Sequence, residues 1–218
     1  MKIIAAIFML MDHIGMLFYP TQPLWRALGR LAMPLFAYGV ASGFWHTSSL
    51  KNYMKRMTVF AIISQLPFLW MFQVAYGRAF GLNIGFTFLI ALGCLWLLKS
   101  TEQQSEAVKI GNYIMIGLLL ILAEGLACDY GMYGVAVVIL FYEYSFKKEN
   151  QLVAYILFSL LTLLDSLIYN SPLQIYAVLS IVFIILLKNK RLSGLRYFFY
   201  LFYPLHMFVL VFIKLLFF

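Results

Sequence analysis

Apolar stretches, several of them short, follow one another along nearly the whole chain, separated only by short polar joints. At about 1.5 Å of rise per residue, about twenty residues of helix cross the roughly 30 Å of hydrocarbon in a bilayer, and the longer stretches approach that length. In lipid every backbone polar group must be satisfied within the segment, which favours helices here over open strands. The 218 residues are 64% hydrophobic and only 11% charged, far from the roughly one-quarter charged of soluble domains. The chain therefore reads as all-α, a polytopic transmembrane bundle forming one domain over residues 1–218.

Apolar runs between joints place about nine helices, at 3–19, 30–46, 55–72, 84–98, 112–127, 131–145, 151–168, 172–187 and 197–217. Only Cys128-Asp129-Tyr130 separates the fifth from the sixth, so one of that pair is a candidate for a tilted or re-entrant element. The first run has no small-x-small cleavage site and carries polar residues in its centre, which reads as a retained helix rather than a secretory signal. Lys and Arg are retained on the cytoplasmic side. With the N-terminus inside, that side receives Lys2, Lys51, Lys55, Arg56, Lys99, Lys109, Lys147, Lys148, Lys188, Lys190, Arg191 and Arg196, and the far side Arg26, Arg30 and Arg78.

The formal charge of +8 thus follows topology, and because the basic residues occupy joints rather than one polar face, no nucleic-acid partner is expected. Cys94 and Cys128 sit within and at the end of predicted spans, with neither disulfide nor metal-ligand spacing, so no metal is expected. Gly39-x-x-x-Gly43, flanked by Ala37 and Ala41, offers a smooth face for helix packing. Trp25, Trp45 and Trp70 fall near span ends as interfacial anchors.

Against this background the polar residues inside the runs are the informative ones. An ionisable group at mid-bilayer costs on the order of 3 kcal/mol, so one that persists faces the bundle interior with a partner. His13 and His206 fall roughly 14 Å from the inner surface, Asp12 slightly shallower, and Glu124 and Asp165 nearer the outer one. Asn83, Thr87, Asp129 and Arg30 surround the outer rim, implying a polar cavity in the outer half of the bundle, with Gln65, Tyr130 and Tyr203 as further candidates. Adjacent helical residues diverge by about 100°, so Asp12 and His13 are not expected to share a face. One arrangement points His13 into the cavity as a general base while Asp12 pairs with Arg30 or another helix; the alternative makes both interhelical glue. His206 follows Tyr203-Pro204, where the proline frees a backbone carbonyl. Glu143 reads as a snorkelling boundary charge. No serine-hydrolase, zinc-protease or nucleotide-binding motif is present, which leaves a proton-coupled transporter, a histidine-assisted group transferase or a noncatalytic assembly factor.

The motifs Met11-Asp12-His13-Ile14-Gly15, Gly29-Arg30-Leu31-Ala32-Met33-Pro34-Leu35-Phe36-Ala37, Gly43-Phe44 with Thr47, Tyr53-x-x-Arg56, Gln65-x-Pro67-Phe68, Asn83-x-x-Phe86-Thr87, Asp129-Tyr130-Gly131 with Gly134, and Tyr203-Pro204-x-His206 resemble the TraX family in order and spacing over nearly the full chain. The resemblance implies a multi-pass acetyltransferase of the bacterial inner membrane, taking acetyl from acetyl-CoA to the N-terminus of a pilin-like peptide or to another surface acceptor. Acyl transfer from a thioester needs a base, and His13, with Asp12 or another carboxylate holding the local electrostatics, is expected to remove the acceptor's proton. His206, Gln65, Asn83 or Tyr130 would supply the oxyanion donor. Lys51, Lys55 and Arg56, with Tyr53 beside them, would meet the CoA phosphates at the inner mouth. Arg30, on the outer side, is assigned to Asp12, Glu124, Asp129 or the acceptor.

Overall fold

The computed structural model describes residues 1–101, 104–188 and 196–217. Among them there is no strand, only an isolated bridge between Leu82 and Cys128. The helices are α1 (Lys2–Phe18), α2 (Pro23–Gly29), α3 (Ala32–His46), α4 (Leu50–Tyr76), α5 (Ile84–Thr101), α6 (Glu106–Gly125), α7 (Gly131–Leu140), α8 (Gln151–Ile168), α9 (Ser180–Leu187) and α10 (Arg196–Phe217). A π-helical segment, Phe141–Lys147, continues α7, and a 3₁₀ segment, Pro172–Leu179, leads into α9. Lys190 and Arg191, two basic residues expected in an inner joint, lie outside the described residues.

Among the described residues, five helices are long and apolar enough to cross a membrane: α4, α5, α6, α8 and, from Tyr200, α10. α1 and α3, at 17 and 15 residues, fall short of that length. Residues facing away from the bundle confirm the solvent. On α6, Ile114, Leu118 and Ile121 are exposed at helical spacing, as are Leu160, Leu164 and Leu167 on α8 and Leu201, Leu205, Phe208 and Phe212 on α10. Continuous exposed apolar stripes on several helices match hydrocarbon, where a soluble fold would place polar residues.

The expected second helix, 30–46, is α3, and a short helix that the apolar runs did not mark, α2, precedes it. Pro23 occupies the first turn of α2, where its missing N–H costs nothing, and the chain turns at Arg30-Leu31 before α3 begins. α1 packs most extensively against α2 and also touches α3, α4 and α10. Glycine permits the closest approach: a Cβ at Gly15 would collide with Trp25, and one at Gly29 with the Asp12 carboxylate. The anticipated Gly39/Gly43 face is used differently, because nothing approaches Gly39, whereas the Tyr53 ring and hydroxyl fill the space at Gly43. Ala37 and Ala41 are fully buried, as are Val135, Val137 and Val138 of α7 and Ala91, Leu92 and Leu95 of α5, so α3, α5 and α7 form the dry centre. Cys94 and Cys128 are buried free thiols.

The side chains of Gln65 and Asn83, expected as candidate oxyanion donors, bond to backbone in this arrangement. The Gln65 amide donates to the Gly81 carbonyl at 2.8 Å, and its oxygen accepts from the Asn83 backbone N–H at 3.0 Å. Asn83 Nδ2 donates to the Ala61 carbonyl at 2.7 Å and to Gln65 Oε1 at 2.8 Å, while Asn83 Oδ1 accepts from Gly85 N–H at 2.9 Å. Two further bonds, Leu82 N–H to Ala127 carbonyl at 3.1 Å and Asp129 N–H to Leu82 carbonyl at 2.7 Å, tie the loop before α5 to the loop before α7. Replacing Asn83 by alanine orphans the Ala61 carbonyl and the Gly85 N–H and leaves Gln65 Oε1 with only the backbone bond from residue 83, an expected loss of about 2 kcal/mol. Equilibrium unfolding in mixed detergent should show that loss, with the activity of the remaining folded molecules unchanged.

Candidate functional site

The bundle encloses a cavity of about 80 Å³, lined by Met9, Asp12, His13 and Met16 of α1, by Arg26, Gly29 and Arg30 at α2, by Ala32, Met33 and Phe36 of α3, by Phe68 and Phe72 of α4, by Ile84, and by Asp129, Tyr130 and Tyr203. It has room for a few water molecules or the end of a substrate arm, well below the several hundred Å³ of a pocket that swallows a whole ligand.

Asp12 and His13 both line this cavity, and they do so without sharing a face of α1. Their divergence aims them at different walls. Asp12 turns to α2, where Arg26 Nη1 donates to its Oδ2 at 2.6 Å. His13 turns to α10, where its Nδ1 lies 2.7 Å from His206 Nε2, the two rings parallel to within 1° with centroids 4.9 Å apart. The partner of Asp12 is thus Arg26 and not Arg30. The sequence does hold a signal for this: Arg26 and Arg30 are four residues apart, one turn of helix, so a wall that presents one presents both.

Arg30 donates a long 3.4 Å bond to the Tyr130 hydroxyl, with its guanidinium 5.9 Å from that ring's centre. Arg30 Nε and Asp12 Oδ1 are buried without a hydrogen-bond partner in the protein. The lining carries two arginines and two aspartates, so its formal charges balance with both histidines neutral. Tyr130 adopts a left-handed backbone (φ 62°), as does Gly131 (φ 42°), a strained turn that delivers the tyrosine ring to the cavity. Thr87 secures it by donating to the Asp129 carbonyl at 2.6 Å.

Several anticipated cavity residues lie elsewhere. Glu124 accepts from Met132 N–H at 3.0 Å and from the Tyr169 hydroxyl at 2.6 Å, an anion at the start of α7 rather than in the chamber. A Cβ at Gly131 would strike that carboxylate, which gives the glycine a steric reason as well as a conformational one. Asp165, Gln65, Asn83 and Thr87 do not line the cavity. His206 is itself buried, at 6% exposure, and its Nδ1 donates to the Phe202 carbonyl at 2.8 Å. That is not the carbonyl left free by Pro204, which by helical spacing belongs to Tyr200. The basic cluster forms the first turns of α4: Lys51 and Lys55 are exposed, and Arg56 lies 5.7 Å over the buried Tyr53 ring. From Arg56 to Phe68 on the same helix is about 18 Å, so the cluster and the cavity are separate places. Glu143 accepts from Lys147 at 3.3 Å within the π-helical segment. Among the described residues no group of histidine, cysteine and carboxylate side chains could hold a metal ion.

A bundle of apolar helices surrounding a small polar chamber, with a histidine pair on one wall and an arginine–aspartate pair on another, defines a multi-pass membrane protein with a buried polar site. The TraX protein family matches residues 1–214, and the chain belongs to that family. It is 30% identical, over 94% of its own length and 91% of the relative's, to the probable fimbrial assembly protein FimC, serogroup H1, of Dichelobacter nodosus. No solved structure matches.

Proposed function

We propose that the protein is an acetyltransferase of the bacterial inner membrane that moves acetyl from cytosolic acetyl-CoA to the amine or hydroxyl of a pilin-like peptide or other surface acceptor. The observation that carries this reading is His13, a ring without a charged hydrogen-bond partner, facing a small chamber beside two arginines. Family membership and the fimbrial relative point to the same acceptor class. In this reading His13 takes the acceptor's proton as nitrogen or oxygen bonds to the thioester carbon. The C–S bond then breaks, and the proton passes to the departing CoA thiolate. Arg30 and the Tyr130 hydroxyl are the donors nearest to hand for the oxyanion. The chamber's apolar walls, Met9, Met33, Phe36, Phe68 and Phe72, limit competing hydrolysis.

The proposed topology has the N-terminus inside and about nine crossings, with the shorter helices completing the bundle. Lys51, Lys55 and Arg56 then face the cytosol and hold the CoA phosphates, and the pantetheine arm covers the distance along α4 to the chamber. Purified protein incubated with acetyl-CoA labelled in the acetyl group, together with a peptide bearing a pilin-like N-terminus, should release free thiol and transfer label to the peptide. The name of the fimbrial relative favours one other reading, a noncatalytic assembly factor. In that case no thiol is released, and alanine at His13 and His206 leaves assembly intact.

A further inference from the structure

The bonds around the histidine pair assign each ring nitrogen a role. A carbonyl oxygen only accepts, so the 2.8 Å contact to Phe202 places a proton on His206 Nδ1. In the neutral ring, His206 Nε2 is then an acceptor. The 2.7 Å contact to His13 requires His13 Nδ1 to be the donor. That leaves the pair's fourth nitrogen, His13 Nε2, with its lone pair on the ring that lines the chamber.

We infer that His206 is a positioning residue that, through Phe202 carbonyl, His206 and His13 in series, locks His13 in the Nδ1–H form so that Nε2 serves as the base. This rests on the acetyl-transfer reading for its catalytic consequence, but not for the tautomer itself. The series also explains why His206 is buried and ordered. Its ring is stacked on Phe202 at 4.9 Å and meets Tyr203 edge-on at 5.8 Å, so the acceptor it offers to His13 is fixed in direction. When His13 Nε2 takes the acceptor's proton, the Nδ1 proton can move along the 2.7 Å bond to His206 Nε2, and the Phe202 carbonyl then faces a positive ring. As the thiolate leaves, the shift reverses and the proton on Nε2 completes the CoA thiol. A free imidazole in water has no such bias toward the Nδ1–H form, so the tautomer is a property this neighbour imposes.

The chain has three histidines, 13, 46 and 206, which makes a nitrogen-15 histidine spectrum of the whole protein in micelles assignable by single substitutions. His13 is expected in the Nδ1–H form in the wild type and in the H206Q variant, whose side-chain oxygen still accepts. In H206A it should shift toward Nε2–H. A wild-type His13 in the Nε2–H form, or a tautomer indifferent to H206A, overturns the inference. In acetyl-transfer assays H206A should lose about 10²-fold in kcat with KM for acetyl-CoA changed less than about twofold, and H206Q should recover at least about tenfold of that loss. H206Q no better than H206A, or a loss borne by KM, also overturns it. If H206A fails to fold, the wild-type and H206Q spectra decide. A wild-type spectrum as expected with no acetyl transfer at all sinks the enzymatic reading and leaves the tautomer assignment standing.

Discussion

Replacing His13 by alanine is expected to lower acetyl transfer by about 10²- to 10⁴-fold, the range general-base catalysis contributes. The protein should stay folded. Alanine removes one neutral hydrogen bond, that to His206, worth about 1 kcal/mol, and the chamber already provides space on that side. The large effect on rate follows from the lack of a second imidazole in the chamber lining. His206 recovers a free Nε2 in the variant, but it lies on α10, buried behind the position His13 occupied, and it does not line the chamber. Asp12 is committed to Arg26. His46 offers the control: it is exposed at the end of α3, bound to the Ser42 carbonyl at 2.8 Å, and H46A should leave transfer unchanged. If His13 serves only to join α1 to α10, the ranking reverses, with stability falling and turnover per folded molecule persisting. Thiol release and detergent unfolding measured on the same preparation separate the two.

Much of this site was visible before any coordinates, for one physical reason. An acid or imidazole in an apolar helix is costly enough that each instance marks an interior position, so Asp12, His13 and His206 could be named from single helices. What a helix pattern does not carry is the identity of partners across helices. The 100° between Asp12 and His13 gives their divergence, but it does not say which helix each one meets. α2 was missed because seven residues carry no usable period, and Pro23 alone marked its start. With α2 went Arg26, left as an outer-rim charge. Gln65 and Asn83 lie outside the chamber lining for a different reason. Polar side chains bonded to backbone look, in sequence, the same as polar side chains facing a ligand, and only the carbonyls of Ala61 and Gly81 reveal the difference. The tighter steric facts, glycines 15, 29 and 131 each accommodating one specific side chain, belong to tertiary contact and have no signature in a single chain.

Replacing Arg26 by methionine should destabilise the fold by about 3 kcal/mol, the largest stability effect expected of a single surface-distant charge here. The methionine fills much of the arginine's volume, so packing of α2 on α1 is little changed. What is lost is the 2.6 Å bond to Asp12, a carboxylate whose other oxygen already has no partner. A carboxylate left alone in this chamber keeps its desolvation cost and loses its compensation, which is why breaking one side of such a pair costs more than the pair is worth. Two features hold the effect to the lower part of the usual range. Both side chains keep some exposure, 21% for Arg26 and 14% for Asp12, and Arg30 stands one turn away on the same wall. The double variant, Asp12→Leu with Arg26→Met, removes the stranded charge and should return stability to within about 1 kcal/mol of the wild type. Unfolding of all four proteins in mixed detergent gives the cycle directly. A single variant as stable as the wild type would mean that α1 and α2 are joined by Gly15 against Trp25 and Gly29 against the aspartate stem alone, with the ion pair contributing orientation of the carboxylate and no net stability.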